Sequence, residues 1–346
     1  MDGDAGDGGG GDGFRPAWWL PGAHLQTVWG RLARSRRQVP LRREVLTAPD
    51  GDTLYLDHAD LPVPDRAPTL LILHGLEGSS HSVYAQGLLA AAARAGLAAA
   101  VLNFRFCARD LAALDVILPN ERPRLYHSGE TSDFDFVLRT LAARAGGRIL
   151  AAGVSLGGNV LLKWLGENPD ERLVAAAATL SVPYDLAAGD RHMAAFPSIL
   201  YVRSFVKTLM PKAEHLARRF PEAGARMDLS RAGKAWTFRS FDDAANAPLH
   251  GFRGAADYYA RSSSLSVLSA ITIPTLCFSA LDDPFVPAAS VEAARRAASP
   301  AVRFLVTERG GHAGWIAARG FRPVYWGEEA AIAFLAGARR DTIPRS

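Results

Sequence analysis

The chain has 346 residues, 49% of them hydrophobic and 21% charged, with 39 Lys and Arg against 35 Asp and Glu. That is apolar material for one large core or two modest ones, and the net charge of +4 comes without the clustered basic reading module that nucleic-acid binding wants. Two cysteines, Cys107 and Cys277, cannot build a disulfide framework and read as buried free thiols of a reducing compartment.

Residues 1–13 are rich in Gly and Asp, carry no basic-then-apolar leader pattern, and are expected to be disordered. No stretch reaches the roughly 18 apolar residues of a membrane span, so the expected location is the cytoplasm. An arm over 14–43 follows, with Trp18, Trp19 and Trp29 close to Arg31, Arg34, Arg36, Arg37, Arg42 and Arg43. Aromatics beside arginines suit peripheral contact with an acidic lipid surface. An arm packed on its own domain with a solvated basic edge is the favoured reading.

Glu44–Thr47 and Thr53–Asp57 flank Pro49-Asp50-Gly51-Asp52 and predict a hairpin. Thr69–Leu73 is a continuous apolar run, the pattern of a strand buried on both faces, and it ends in His74-Gly75-Leu76-Glu77. A helix over about 82–94, a strand over 98–104, a polar loop over 105–127 and a helix over about 129–143 come next. Strands and helices then alternate through Leu173–Ser181, which argues for a mostly parallel sheet with helices on both faces. The rhythm breaks over 182–268, read as a helical cap above the carboxyl edge of the sheet, and resumes over 269–340. There a strand at 273–279, a helix near 288–298, a strand at 302–307 and a final helix over about 324–338 are expected. The predicted organisation is thus a tail (1–13), a core in two parts (14–181 and 269–340) and a cap insertion (182–268).

The chemistry centres on Gly153-Val154-Ser155-Leu156-Gly157, between a short apolar run and a helical pattern. Strand, sharp turn and helix is the context in which Gly-x-Ser-x-Gly forms a nucleophile elbow, with the serine hydroxyl standing above the sheet. A serine hydroxyl needs a base, and the base needs a group that fixes its tautomer. In such a sheet the acid follows a late strand and the histidine comes near the end. Ala280-Leu281-Asp282-Asp283-Pro284 supplies two adjacent aspartates, of which Asp283 sits directly before the turn and is chosen, with Asp282 as the alternative. Gly310-Gly311-His312-Ala313-Gly314 supplies the histidine. The oxyanion is expected to be held by the backbone N–H groups of Leu156 and Leu76, with His74 a structural hydrogen-bonder. No Walker or His-Glu-x-x-His pattern occurs, so no cofactor or metal is expected.

Several stretches together resemble the YheT-like family of α/β-hydrolases (AB hydrolase family 4) over about 14–338. These are Gly22-Ala23-His24-Leu25-Gln26-Thr27, His74-Gly75-Leu76-Glu77-Gly78-Ser79-Ser80, Tyr126-His127-Ser128-Gly129-Glu130-Thr131, Gly153–Asn159, Ala247-Pro248-Leu249-His250-Gly251-Phe252, and Asp282-Asp283-Pro284 with Gly311-His312. The resemblance implies a serine esterase or lipase with Ser155, an aspartate of the 282/283 pair and His312 as its triad. It also implies carboxylic esters or acylglycerol-type lipids as substrates. One departure stands out: Asn103-Phe104-Arg105-Phe106-Cys107-Ala108-Arg109 replaces the usual Asn-Phe-Arg-Gly-Cys-Ser-Gly, ahead of a longer loop expected to border the active-site mouth. The apolar cap residues Phe196, Ile199, Leu200, Phe205 and Leu209 favour an acyl chain, or equally form the core of the cap. Acyl transfer with the same triad, and a non-catalytic binding protein on the same fold, are the rival readings.

Overall fold

The computed structural model describes residues 13–34 and 39–340. The disorder expected at 1–13 therefore falls, except for Gly13, outside the described residues, as do Arg36 and Arg37. Eight strands form one sheet: β1 (Leu41–Thr47), β2 (Thr53–Ala59), β3 (Thr69–Leu73), β4 (Ala98–Asn103), β5 (Ile149–Val154), β6 (Val174–Leu180), β7 (Thr275–Ala280) and β8 (Val302–Thr307). Their order is β1-β2-β4-β3-β5-β6-β7-β8. β1 and β2 pair antiparallel, β2 meets β4 antiparallel, and all later pairings are parallel.

The period-two rule explains how one sheet supports two apolar layers. Leu71 and Leu73 of β3 enter a cluster with α3 (Ser132–Ala145), α4 (Leu156–Glu167) and the helix Ala288–Ala297. Leu70 and Ile72, pointing the other way, join α2 (Val83–Arg94) and the last helix, Trp326–Arg340. α1 (Ala23–Ala33) lies in the arm, beside α2.

Between β6 and β7 the chain leaves the sheet. It forms α5 (Leu186–Met193), the 21-residue α6 (Ile199–Arg219), a series of short turns, and the helix Ala255–Ser262. These helices have an apolar cluster of their own around Val202, Val206, Leu216, Phe241 and Leu249. Phe106 and Leu125, from the loop after β4, are buried in the same cluster. The expected irregularity of this region holds for the short turns and not for α6, whose pattern is masked by Pro211 and its charges.

Two further differences from the sequence reading concern the C-terminal part. Ile316–Arg319 and Arg322–Tyr325 form an antiparallel ribbon, β9 and β10, and the last helix starts only after it. Gly320, at φ 63, makes the turn between them. Phe106, at the departure from the family pattern, has φ 59. The left-handed backbone that suits glycine is thus kept with a phenylalanine in place, at a cost of roughly 1–3 kcal/mol. Burial of the ring against the cap, edge-on to His215 at 5.8 Å, offsets it. No helix among the described residues is long and apolar enough to cross a membrane.

Arg105, 1% exposed, locks the loop after β4 to its surroundings. It donates to Asp133 Oδ2 at 2.7 Å from Nε and to Asp52 Oδ2 at 2.5 Å from Nη1. Removing the guanidinium leaves buried carboxylates without a counter-charge, which typically costs about 3–5 kcal/mol. Arg105→Met is expected to lower the unfolding free energy by that much in a urea titration, while Asp133→Asn lowers it less.

Candidate active site

Every residue of β5 is buried, and the strand runs straight into Ser155 at φ 53, ψ −119. This left-handed backbone at a residue with a side chain is strained, and its surroundings hold it. Ser155 N–H donates to Leu180 O at 2.8 Å, and Asn159 N–H donates to Ser155 O at 3.0 Å. The flanking glycines are required by close approach: a Cβ on Gly157 would stand 2.5 Å from His74 O, and one on Gly153 would stand 2.6 Å from Gly157 O. Asn159, one turn into α4, is buried and donates to Ser128 O and Ser262 O, both at 2.8 Å. The elbow helix is thereby tied to the Tyr126–Thr131 segment and to the end of the cap.

His312 Nε2 lies 2.9 Å from Ser155 Oγ. Its Nδ1 faces Asp283, at 2.9 Å from Oδ2 and 3.1 Å from Oδ1. An Nδ1–H donated to the carboxylate leaves Nε2 as the acceptor for the serine proton. The Asp283 carboxylate is oriented in turn by Phe285 N–H at 2.8 Å and Val286 N–H at 3.2 Å. Asp282 turns the other way, and its Oδ1 accepts Gly311 N–H at 2.9 Å, which anchors the histidine loop. Of the two aspartates, only Asp283 reaches the ring. Phe285 stacks on His312 with centroids 4.1 Å apart and rings inclined by 26°.

The N-terminal arm braces the same loop. His312 N–H donates to Thr27 Oγ1 at 2.9 Å, and that hydroxyl donates to Ala23 O at 2.7 Å. Gln26, 1% exposed, spans Ile316 with both ends of its amide, Nε2 to the carbonyl at 3.0 Å and Oε1 from the N–H at 2.7 Å. A Cβ on Gly311 would fall 2.5 Å from Ala23 O, so α1 and the loop are in backbone contact. From the sheet side, Ser181 Oγ accepts Ala313 N–H at 2.8 Å. The stretch Gly22–Thr27 thus acts on the histidine from 285 residues away.

Across the serine, Gly75 lies so close that a Cβ there would sit 3.2 Å from Ser155 Cβ. This sets the His74–Glu77 loop against the serine, where Leu76 and Leu156 are expected to offer their N–H groups. The Leu156 amide is the first of its helix and has no intrahelical acceptor. His74 Nδ1–H donates to Gly75 O at 2.7 Å and Nε2 accepts Phe104 N–H at 3.0 Å. Burial pushes its pKa down to about 4, so it stays neutral and structural. Glu77, at φ 56, is gripped by Lys212 of α6 at 2.6 Å and by the Tyr126 hydroxyl at 2.7 Å. Cys107 lies beside Lys212, but burial pushes its thiol up to about 11, which keeps it protonated.

These groups open into a cavity of about 590 Å³ between sheet, arm and cap. Leu186, Met193, Phe205, Leu209, Phe238 and Phe241 line its cap side, and Cys107, Arg109, Ile117 and Leu125 place the loop after β4 in its wall. Of the apolar cap residues singled out in the sequence, Phe205 and Leu209 face the cavity, whereas Phe196 and Leu200 are exposed. Asp242, 7% exposed, also lines the cavity and accepts from Tyr259 Oη at 2.7 Å. His250 packs on His127, ring to ring at 4.6 Å.

A family model described as alpha/beta hydrolase fold matches residues 68–316. An Escherichia coli (strain K12) protein named "Putative esterase YheT" is 35% identical over 315 residues, covering 90% of this chain and 90% of its own. The mouse protein named Phospholipase ABHD3 is 28% identical, covering 88% of this chain and 73% of its own. A Saccharomyces cerevisiae protein named Monoacylglycerol lipase is 28% identical over 82% of this chain and 61% of its own. Among solved structures, the Pyrococcus furiosus esterase Pf2001 superposes with a TM-score of 0.55 at 14% identity, over 88% of this chain and 93% of that one. That likeness is one of fold.

Two outcomes are expected from this geometry. Thr27→Val removes one hydrogen bond from the histidine loop and should lower kcat about tenfold with KM little changed, while Thr27→Ser restores it. Steady-state kinetics on a soluble ester read both. Burial also pushes the Asp242 carboxyl up to about 7. The folded state then holds that proton more tightly than the unfolded chain, so the stability linked to it is full at acid pH and is lost as pH rises from about 4 through 7. Between pH 5 and 8 the melting temperature of the wild type should fall relative to that of Asp242→Asn.

Proposed function

The chain belongs to the α/β-hydrolase family, in its YheT-like branch, and is a carboxylic ester hydrolase; we propose that Ser155, His312 and Asp283 carry the reaction and that its esters bear acyl chains. The observation that supports this reading best is the 2.9 Å contact between His312 Nε2 and Ser155 Oγ at the strained end of β5. His312 takes the serine proton as Oγ attacks the ester carbonyl. Asp283 holds the ring in the tautomer that leaves Nε2 free and stabilises the imidazolium that forms. The N–H groups of Leu156 and Leu76 hold the oxyanion, the first at the positive end of α4. The tetrahedral intermediate collapses as the imidazolium gives its proton to the leaving alcohol, which leaves the acyl group on Ser155. Water then attacks that ester with His312 again as base. The acid departs and the serine regains its proton.

The substrate class rests on the cavity wall and on the relatives. Phe205, Leu209, Phe238, Phe241 and Met193 offer an apolar limb that suits a fatty acyl chain. The names of the mouse and yeast relatives, a phospholipase and a monoacylglycerol lipase, point to the same chemistry. An ester or a lipid of acylglycerol type is the substrate that fits both.

A chain-length series of aryl esters and monoacylglycerols tests the reading. Each methylene buried in the apolar limb contributes about 0.8 kcal/mol, so kcat/KM should rise about fourfold per methylene until the limb is full. Ser155→Ala should abolish turnover, and Asp283→Asn should lower kcat by about 10⁴. Asp282→Asn should lower it far less. A flat chain-length profile removes the acyl-limb assignment, and equal losses in the two aspartate variants remove Asp283 as the orienting acid.

A further inference from the structure

Most of the tryptophan-rich arm is docked. Trp19 and Trp29 pack on each other with centroids 4.8 Å apart, and Ala17 and Leu20 are buried with Ile316 of β9. Trp18 is the exception, at 69% exposure, and it meets Phe321 at 77% exposure in an edge-on pair with centroids 5.1 Å apart. Phe321 is at the tip of the β9–β10 ribbon, between Arg319 and Arg322, which the register places opposite each other. Arg15 stands three residues before Trp18 and is exposed. Arg15, Arg319 and Arg322 make no ion pair with any described residue. Neither residues 13–34 nor residues 316–325 contain a single Asp or Glu.

The apolar surface continues along α1, where Leu25 and Leu32, 46% and 77% exposed, stand two turns apart on one helix face. Next to Leu25, His24 Nδ1 meets the Tyr201 hydroxyl of α6 at 3.0 Å, and Leu200 beside Tyr201 is 56% exposed. Arm and ribbon also border the cavity, through Thr27, Val28, Arg31, Ile316 and Tyr325. Large aromatics left in water beside three exposed arginines, on elements that also border an apolar cavity, have one chemistry that suits all three features. Indole and phenyl rings settle at the headgroup level of a bilayer while arginines pair with lipid phosphates.

We propose that the Trp18–Phe321 pair and the arginines around it form a docking surface for an anionic lipid bilayer, which brings the arm and ribbon that border the cavity to the membrane. A second copy of the chain is a poor occupant of the same patch. Two-fold pairing sets like surfaces face to face and would gather Arg15, Arg319 and Arg322 of both copies in one interface, to which residues 13–34 and 316–325 bring no carboxylate. This inference goes beyond the ester chemistry and does not depend on it.

Vesicle flotation tests it with the full chain, on phosphatidylcholine vesicles with and without phosphatidylglycerol. The wild type should float with the anionic vesicles and much less with the neutral ones, and added salt should release it. A double variant Trp18→Ala/Phe321→Ala, and separately Arg319→Gln/Arg322→Gln, should each lower the partition coefficient about tenfold or more. Thermal unfolding is the folding control, so the outcome stands apart from whether any ester is turned over. Absent or charge-independent binding, or binding unchanged in both variants, overturns the proposal. So does a dimer in sedimentation velocity that Trp18→Ala/Phe321→Ala dissolves.

Discussion

The hydrogen bond between His312 and Ser155 is the contact on which the rest of the site turns, and neither partner reaches it unaided. Ser155 is held in a left-handed turn by backbone bonds to β6 and α4, in a space that only glycines at 153 and 157 leave open. His312 rides on a loop whose own residues include three glycines, at 310, 311 and 314. A loop so free to move must be fixed from outside. Asp282 fixes it from β7, Ser181 from β6, and Thr27 with Gln26 from the arm. The arm is therefore part of the machinery that presents the imidazole, although 285 residues separate Thr27 from His312 in the chain.

The same logic applies on the other side of the serine. Leu76 lies in a loop whose next residue, Glu77, has a positive φ and is held by a buried lysine from the cap and a tyrosine from the core. Lys212 is 6% exposed; burial works against its charge, and the carboxylate of Glu77 opposes that burial and supports it. Removal of either member of the Lys212–Glu77 pair would leave the other charged and buried, so the cap and the His74–Glu77 loop are coupled through one ion pair. Phe106 adds an apolar attachment at the neighbouring position. A cap tethered in this way shapes the cavity and steadies the groups around the serine together.

Much of this architecture is legible in the sequence because strands buried on both faces announce themselves. Thr69–Leu73 and Ile149–Val154 are apolar without interruption, and the elbow between β5 and α4 carries its own glycines. The β9–β10 ribbon is hidden because Ile316-Ala317-Ala318-Arg319 is as compatible with a helix as with a strand, and only pairing with Arg322–Tyr325 decides between them. α6 is obscured by a proline and by charges that solvate its outer face. Spacing alone does not separate Asp282 from Asp283, since adjacent residues past a strand point in different directions and both follow β7. Three-dimensional contact separates them, one to the ring and one to the loop backbone. The role of Gln26 and Thr27 is hidden for a related reason: their motif is visible, but its partner lies at the other end of the chain.

If the convergence at the sheet edge works as described, Ser155 is a nucleophile at rest, before any substrate arrives. Exposure of the folded protein to a fluorophosphonate, followed by peptide mapping by mass spectrometry, reads this out residue by residue. We predict a single phosphonate on the peptide carrying Ser155, formed rapidly in the wild type and greatly slowed in His312→Ala. A folded protein that takes up no label, or that carries it on another residue, would contradict the assignment.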